Sequence, residues 1–145
     1  MLFKNITLLT DEEYIKYKSL IPVTDDWWWL KTPYSAYKNG VRAIKCYGDR
    51  CNNFCFSDNG GVRPLCVFEV ETADSIFWSK PEMLIGSKIE YGKYKWTVLN
   101  VESSVLYVLC DEIITRRRFD SSVNVWANSE LRRWLKTEGL KIMNI

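Results

Sequence analysis

The most informative absence in this sequence is histidine, of which the chain has none. Without an imidazole the chain cannot build a Ser-His-Asp or Cys-His nucleophile, and it lacks the commonest general base and the commonest metal ligand. Carboxylates do not fill the gap, because the adjacent pairs Glu12-Glu13 and Asp25-Asp26 point their side chains in different directions in a strand and in a helix alike. We therefore expect no enzymatic activity and no cofactor.

Long apolar runs and a strong net charge are also missing. No stretch approaches the ~20 apolar residues of a membrane-spanning helix, and the first residues lack the apolar region and cleavage site of a signal peptide. The 20 basic and 18 acidic residues leave a formal net charge of +2, too small to indicate binding to nucleic acid or to a membrane surface. These absences predict a cytoplasmic protein whose partner is neither nucleic acid nor a membrane.

Cysteine is present five times and leaves one metal-site alternative open. Cys46, Cys51, Cys55 and Cys66 would supply four thiolates for zinc on one hairpin, although their spacing lacks the paired C-x2-C knuckles of zinc sites. Cys46, Cys66 and Cys110 fall in apolar strand positions, where a buried cysteine behaves as a small hydrophobic residue. We expect no metal site, with a metal-binding or enzymatic module on the hairpin cysteines as the alternative.

The pattern of apolar residues predicts a single α+β domain over residues 1–145, with a mixed, mostly antiparallel sheet and two short helices. Thr10 and Glu13 form a capping box that begins the first helix, while Asn128 and Gly139 are expected to begin and end the second. Residues 72–84 are the most linker-like, and 116–120 read as a loop. The predicted strands are 3–9, 27–31, 41–46, 54–56, 62–70, 88–91, 94–101 and 105–110, and the predicted helices are 11–19 and 129–137.

Five segments carry recognisable motifs: Trp29-Leu-Lys-Thr-Pro33, Gly61-Val-Arg-Pro-Leu65, Gly92-Lys-Tyr-Lys-Trp-Thr-Val-Leu99, Arg118-Phe-Asp120 and Trp126-Ala-Asn-Ser-Glu-Leu-Arg-Arg-Trp-Leu135. Together they resemble a family of uncharacterised bacterial and phage domains with W-L-R-[ST]-P, G-V-R-P and W-x-x-S-x-L-R-x-W-L motifs. The resemblance implies a C-type-lectin-like fold, as in sulfatase-modifying enzymes. It does not imply their activity, because the sequence context of their active-site cysteines is missing.

The order of these motifs is inverted relative to the family. The block with W-L-K-T-P and G-V-R-P, residues 1–72, normally follows the block that here spans 86–145. Lys31 also stands where the family has arginine, which removes a planar fork for carboxylates. Either the domain is circularly permuted, which short connections favour, or chains exchange blocks and form a homodimer.

Aromatic residues supply the first candidate binding site, since seven tryptophans are many for so small a domain. In a strand, Trp28 faces away from Trp27 and Trp29, so at least one indole should be buried and at least one is free for the surface. With Tyr34 and Tyr37 they predict an interface for a protein partner. The hairpin loop at residues 48–53 is expected to share that surface.

Arginines supply the second candidate site. Arg116, Arg117 and Arg118 form the single basic run of the chain, and the helix nearby adds Arg132, Arg133 and Lys136. Such a patch suits nucleic acid phosphates or an acidic protein. The preferred function is a non-enzymatic protein-binding module of phage or mobile-element origin, acting as a small inhibitor of a host defence system. Nucleic acid binding through residues 116–136 is a further alternative.

Overall fold

A computed structural model describes residues 2–70 and 84–145. Its strands are β1 (Leu2–Thr7), β2 (Trp28–Pro33), β3 (Gly40–Ile44), β4 (Arg50–Phe54), β5 (Gly61–Val62), β6 (Leu65–Glu69), β7 (Lys88–Tyr91), β8 (Tyr94–Glu102), β9 (Val105–Cys110) and β10 (Thr115–Arg116). Its helices are α1 (Asp11–Tyr17), α2 (Glu130–Trp134) and α3 (Leu140–Ile142). Short helical turns at Lys18–Leu20 and Trp126–Asn128 and a π-helical turn at Leu135–Gly139 complete the described elements.

The strands form two five-stranded sheets, which confirms the predicted α+β class with mostly antiparallel strands and short helices. Sheet 1 has the order β1-β6-β9-β8-β7 and is antiparallel throughout. Sheet 2 has the order β10-β5-β2-β3-β4, with one parallel pair, β2 and β5. The two sequence blocks meet in both sheets, because β6 pairs with β9 and β5 pairs with β10 within one chain.

The capping box predicted at α1 is present. The Glu13 amide donates to Thr10 Oγ1 at 3.0 Å, and the Thr10 amide donates to Glu13 Oε1 at 2.8 Å. A third free amide at this helix end, that of Asp11, donates to Thr32 Oγ1 at 2.8 Å. The threonine of the W-L-K-T-P motif thus ties α1 to β2, because it satisfies an amide that the helix itself leaves unpaired.

Residues 62–70 do not form the single strand that the sequence predicted. Val62 ends β5 in sheet 2, and Leu65 begins β6 in sheet 1. Pro64 lies between them and has no amide hydrogen, so the hydrogen-bonded ladder cannot continue through it. The G-V-R-P segment is therefore the point at which the chain passes from one sheet to the other.

Side chains that alternate along the strands supply two apolar cores. The main core lies between the sheets and the C-terminal helices, and the smaller core lies under α1. Each of the two cores contains residues of both sequence blocks, so both blocks are needed to complete either one. The main core includes Ile6, Trp29, Val41, Val62, Phe68, Trp96, Val108, Phe119, Leu131 and Leu135, and the smaller one includes Leu9, Tyr14, Trp28, Leu30, Ile44, Leu65, Leu99 and Leu109.

The C-terminal helical segment begins and ends differently from the prediction. Ser129, not Asn128, is the N-cap, because its side chain accepts a hydrogen bond from the Arg132 amide at 3.1 Å. Gly139 does not end the segment; the chain stays helical through a π-helical turn into α3. Gly139 is buried against Leu135 and Trp134, where a Cβ atom would lie 3.2 Å from each side chain. The glycine is there for close packing and not to stop the helix.

Of the remaining predictions, the structure confirms some and contradicts others. The three-stranded meander of β7, β8 and β9 is confirmed. A hairpin does follow β3, but its return strand is Arg50–Phe54 and not the predicted 54–56. The loop predicted from residue 116 is partly wrong, since Arg116 pairs with Gly61 at the edge of sheet 2. The linker-like stretch lies almost wholly outside the described residues, apart from its last position. No helix in the described part of the chain is long and apolar enough to cross a membrane.

Candidate protein-binding surface

Trp29, the tryptophan of the W-L-K-T-P motif, is fully buried in the main core. Its ring meets those of Trp27 and Phe119 edge-on, with centroids 4.8 and 5.8 Å away, and its Nε1 donates to the Arg117 carbonyl at 2.8 Å. Gly60 is packed against the indole, and a Cβ atom there would lie 2.0 Å from Nε1. Trp29 therefore joins the two blocks through packing and one directed hydrogen bond.

Trp28 lies on the opposite side of β2, as alternation along a strand requires. It is buried in the smaller core, with the Tyr14 ring 5.7 Å away and the Arg63 guanidinium 4.9 Å above its own ring. Because Trp28 and Trp29 have almost no exposed surface, neither is placed to contact a partner. Of the three tryptophans predicted as binding residues, only the half-buried Trp27 retains accessible surface.

Arg63 is the charged residue of the G-V-R-P motif and is completely buried. Its Nε donates to the Cys110 carbonyl at 2.7 Å, and its Nη2 donates to the Asp111 carbonyl at 3.3 Å. Burial lowers the pKa of Arg63 to about 10, with Asp111 acting in the opposite direction, so the side chain stays charged at neutral pH. This arginine fastens the crossover between the sheets to the end of β9.

Four aromatic side chains at one end of β3 and β4 form what we call the aromatic patch: Tyr34, Tyr37, Phe54 and Phe56. The rings of Phe54 and Phe56 are stacked, 5.2 Å apart and 5° from parallel. About half of each phenylalanine is exposed, as is 60% of Tyr37. Tyr34 packs against Tyr37 at 5.8 Å and lies under the Arg42 guanidinium.

A hydrogen-bonded frame holds the patch in place. Gly40 pairs with Phe54 across the hairpin, and the Cys55 amide donates to the Asn39 carbonyl at 2.7 Å. Asn124 reaches in from the second block and donates through Nδ2 to the Tyr37 carbonyl at 3.1 Å and to the Gly40 carbonyl at 2.8 Å. The two residues beside Asn124, Val123 and Val125, are also exposed and extend the apolar surface.

The segment 48–53, predicted as the hairpin loop, is mostly strand, because β4 begins at Arg50 and the turn of the hairpin lies before it. Contrary to expectation, that turn does not share the surface of the aromatic patch. Ile44 pairs with Arg50 and Gly40 pairs with Phe54, so the turn and the patch lie at opposite ends of β3. Four residue steps of ~3.3 Å separate those ends. Gly48 is instead bound to the first helix, because its carbonyl accepts a hydrogen bond from the Tyr14 hydroxyl.

Phe54 and Phe56 were not predicted as binding residues. The signal was present in the triplet Phe54-Cys55-Phe56, because alternation along an extended chain places the two rings on the side opposite the cysteine.

Next to the patch is an open cleft of about 470 Å³, which we call the arginine cleft. It is lined by Asp58, Arg116, Arg117, Arg118, Glu130 and Arg133. Arg118 forms a two-pronged ion pair with Glu130 at 2.7 and 3.1 Å, and Arg116 pairs with Asp26 at 2.8 Å. Arg117 lies over the Trp134 ring, 4.6 Å from its centroid.

The predicted basic patch is only partly assembled. Arg116, Arg117 and Arg133 line the arginine cleft together, whereas Arg132 does not and donates to the Ala127 carbonyl at 3.4 Å. Lys136 donates to Asn5 on β1 at 2.8 Å. Burial, reinforced by nearby Arg132 and Lys31, lowers the pKa of Lys136. The cationic surface is therefore smaller than the one suggested by the sequence.

The cysteines do not converge on a shared point. In the described part of the chain no group of three or more Cys, Asp or Glu side chains is arranged to hold a metal ion. Cys55, Cys66 and Cys110 are buried, and burial raises the pKa of Cys110 to about 12. Cys46 lies just beyond β3 and is only half-buried, so it does not occupy the apolar strand position expected for it.

A comparison with protein families finds a match over the first part of the chain, to a family without an assigned activity. Residues 1–70 match the model of a domain of unknown function (DUF6273). This segment includes both the W-L-K-T-P and the G-V-R-P motifs, so the match supports the resemblance to an uncharacterised domain family. No curated protein and no solved structure was found to match the chain.

Proposed function

We propose that the protein is a non-enzymatic protein-binding module that holds its partner on the aromatic patch. The observation that carries the proposal is the exposed stack of Phe54 and Phe56 at the end of the hairpin where Tyr37 is also exposed. Single exposed apolar side chains are ordinary on folded proteins, but several exposed aromatic side chains at one end of a hairpin favour an interaction site. Aromatic anchors also dominate the energetics of protein interfaces.

The frame beneath the patch supports the same function. Hydrogen bonds from Cys55 and Asn124 fix the turns that carry the aromatic rings, so little chain entropy has to be lost when a partner binds. Phenylalanine and tyrosine add large contact area with few rotatable bonds. A rigid sheet that presents aromatic loops is a common arrangement for binding proteins.

The resemblance supports a narrower form of this proposal. It adds a C-type-lectin-like framework, a phage or mobile-element origin and a role as a small inhibitor of a host defence system, to be exercised in the cytoplasm, the location expected from the sequence. Plaque formation on a defended host is the measurement: the wild-type protein should raise it, and Phe54→Ser/Phe56→Ser should not. Equal plaque counts with and without the protein would remove the inhibitor role and leave the binding module.

Photo-crosslinking tests the binding proposal directly. Benzoylphenylalanine is placed at Phe56, inside the patch, or at Tyr47, a control position that is 86% exposed at the other end of the hairpin. In a lysate of the host organism, we expect a discrete protein to crosslink at position 56 and not at 47. An excess of unlabelled wild-type protein should compete, and an excess of Phe54→Ser/Phe56→Ser should not. Equal crosslinking at the two positions contradicts the proposal.

Self-association, in which a second copy of the chain is the partner, needs a separate test. Size-exclusion chromatography with light scattering gives the molar mass in solution. The mass shows whether two chains exchange blocks or each chain folds on its own as a circularly permuted domain. A monomer at all concentrations removes the exchanged dimer, because β6 and β9 then pair within one chain. A dimer that Phe54→Ser/Phe56→Ser dissociates would make the aromatic patch a self-association surface.

A further inference from the structure

We infer that the arginine cleft binds the carboxylates of an acidic segment of the protein partner, while the aromatic patch holds the apolar side chains next to that segment. The inference rests on the proposed function and names the chemistry of the partner. It follows from the position of the cleft, from the charges left in it and from the geometry of arginine.

The cleft and the patch are parts of one surface. Cys55, which lies between the two stacked phenylalanines, accepts hydrogen bonds through its carbonyl from the Phe119 amide at 2.9 Å and the Asp120 amide at 3.0 Å. Phe119 directly follows Arg118 of the cleft, and Asp58, two residues after Phe56, lines the cleft itself. A short extended segment of a partner would therefore reach both regions.

Two arginines of the cleft have no carboxylate partner among the described residues. Arg116 and Arg118 are paired with Asp26 and Glu130, but the ion pairs of residues 2–70 and 84–145 include neither Arg117 nor Arg133. Arg117 lies over the Trp134 ring, 4.6 Å from its centroid, and Arg133 donates from Nη1 to the Asn128 carbonyl at 2.7 Å.

The chemistry of these two side chains favours carboxylate ligands. A guanidinium carries five N–H donors, so each retains donors beyond the contact that orients it. Planar donors already fixed in position suit the two oxygens of a carboxylate.

The charge balance favours an acidic protein over nucleic acid. Two carboxylates, Asp58 and Glu130, line the cleft beside its four arginines, and Asp26 neutralises Arg116. Nucleic acid binding relies on many uncompensated contacts to phosphate and on a broad basic surface. The net charge of the chain is only +2, and the neighbouring surface is apolar and aromatic.

Peptide display tests the inference. A library of random dodecapeptides is selected on four immobilised proteins: the wild type, Arg117→Gln/Arg133→Gln, Phe54→Ser/Phe56→Ser, and the control Lys93→Gln/Lys95→Gln, which removes two exposed charges from the β7–β8 hairpin. The wild type and the control should enrich peptides in which Asp or Glu flanks an aromatic or aliphatic residue. The arginine variant should lose the acidic enrichment and bind the selected peptide at least about tenfold more weakly.

Other results of the peptide selection would contradict the inference, the role of the aromatic patch or the choice of an acidic protein as the ligand. Apolar peptides without acidic bias that bind the wild type and the arginine variant equally overturn the inference and leave the proposed function standing. If acidic peptides still bind Phe54→Ser/Phe56→Ser, the role of the arginine cleft stands, and the role of the aromatic patch is contradicted. No enrichment on the wild type overturns the inference, while photo-crosslinking at Phe56 still decides the proposed function. Tighter binding of single-stranded oligo-thymidine, lost steeply as salt rises from about 50 mM, assigns the cleft to nucleic acid instead.

Discussion

The residues of the motif segments and the residues of the aromatic patch differ in what surrounds them. Trp29, Arg63 and Asp120 are buried and make directed hydrogen bonds inside the molecule. Phe54 and Phe56 lie outside the motif segments and present their rings to solvent. The motif segments therefore hold the fold together, whereas the surface that we propose for binding lies between two of them. A likeness to an uncharacterised family through such motifs is evidence about fold more than about function.

The largest expected effect of a substitution is at Trp29. Trp29→Ala should lower the free energy of unfolding by about 3–5 kcal/mol, because it leaves a large cavity in the main core and an unpaired Arg117 carbonyl. Urea denaturation followed by tryptophan fluorescence gives the value. Tyr37→Ala, in the patch, is the matched control and should cost no more than about 0.5 kcal/mol. Similar losses in the two variants would remove the distinction between the regions.

A smaller loss of stability is expected for Arg63→Lys, because lysine keeps the positive charge but lacks the planar guanidinium group. Arg63→Lys should lower the free energy of unfolding by about 1–3 kcal/mol, because one ammonium cannot reproduce both carbonyl hydrogen bonds and the stacking on Trp28. Arg42→Lys is the control, since Arg42 also stacks on an aromatic ring but is partly exposed in the patch. We expect a change within about 0.5 kcal/mol there. Equal losses of unfolding free energy in Arg63→Lys and Arg42→Lys would mean that burial does not determine how much the arginine contributes to stability.

Asp120 should show its effect through pH. Burial raises the pKa of its carboxyl, but the amides of Val123, Ser122 and Glu130 donate to it and together lower the pKa below its ordinary value. A lowered folded-state pKa means that the ionised group stabilises the fold above the unfolded-state pKa of ~3.9, and that this contribution is lost as pH falls through the folded-state value.

Asp120→Asn should therefore cost about 1–2 kcal/mol at neutral pH and flatten the loss of stability below pH ~4. Urea midpoints across that range give the profile. The exposed Asp25 provides the comparison, and Asp25→Asn should keep the wild-type acid limb. An Asp120→Asn profile that stays parallel to the wild type would show that the carboxylate does not act as the cap of this turn.

Local patterns made some of this structure predictable. The capping box of α1 and the β7–β9 meander depend on residues close in sequence, so both followed from the sequence. The division of 62–70 between two sheets was not predicted: Pro64 marks the break, but the sheet that each part joins depends on where β9 and β10 lie. Residues 48–53 were assigned as one loop to the same surface as Tyr37, although β4 begins at Arg50. The strand register, which places the turn of the hairpin and Tyr37 at opposite ends of β3, is not visible in composition or periodicity.

The smallest effect on stability is expected where the effect on binding should be greatest. Phe54→Ser/Phe56→Ser removes an exposed stack, so the free energy of unfolding should change by no more than about 1 kcal/mol. Crosslinking competition by this variant should nevertheless be lost, because the aromatic contact area is gone. Tyr47→Ser removes a ring that is even more exposed, at the other end of the hairpin, and this variant should compete like the wild type. Loss of competition in both variants would indicate general surface hydrophobicity, while loss in the first alone would separate the binding surface from the motif residues that hold it in position.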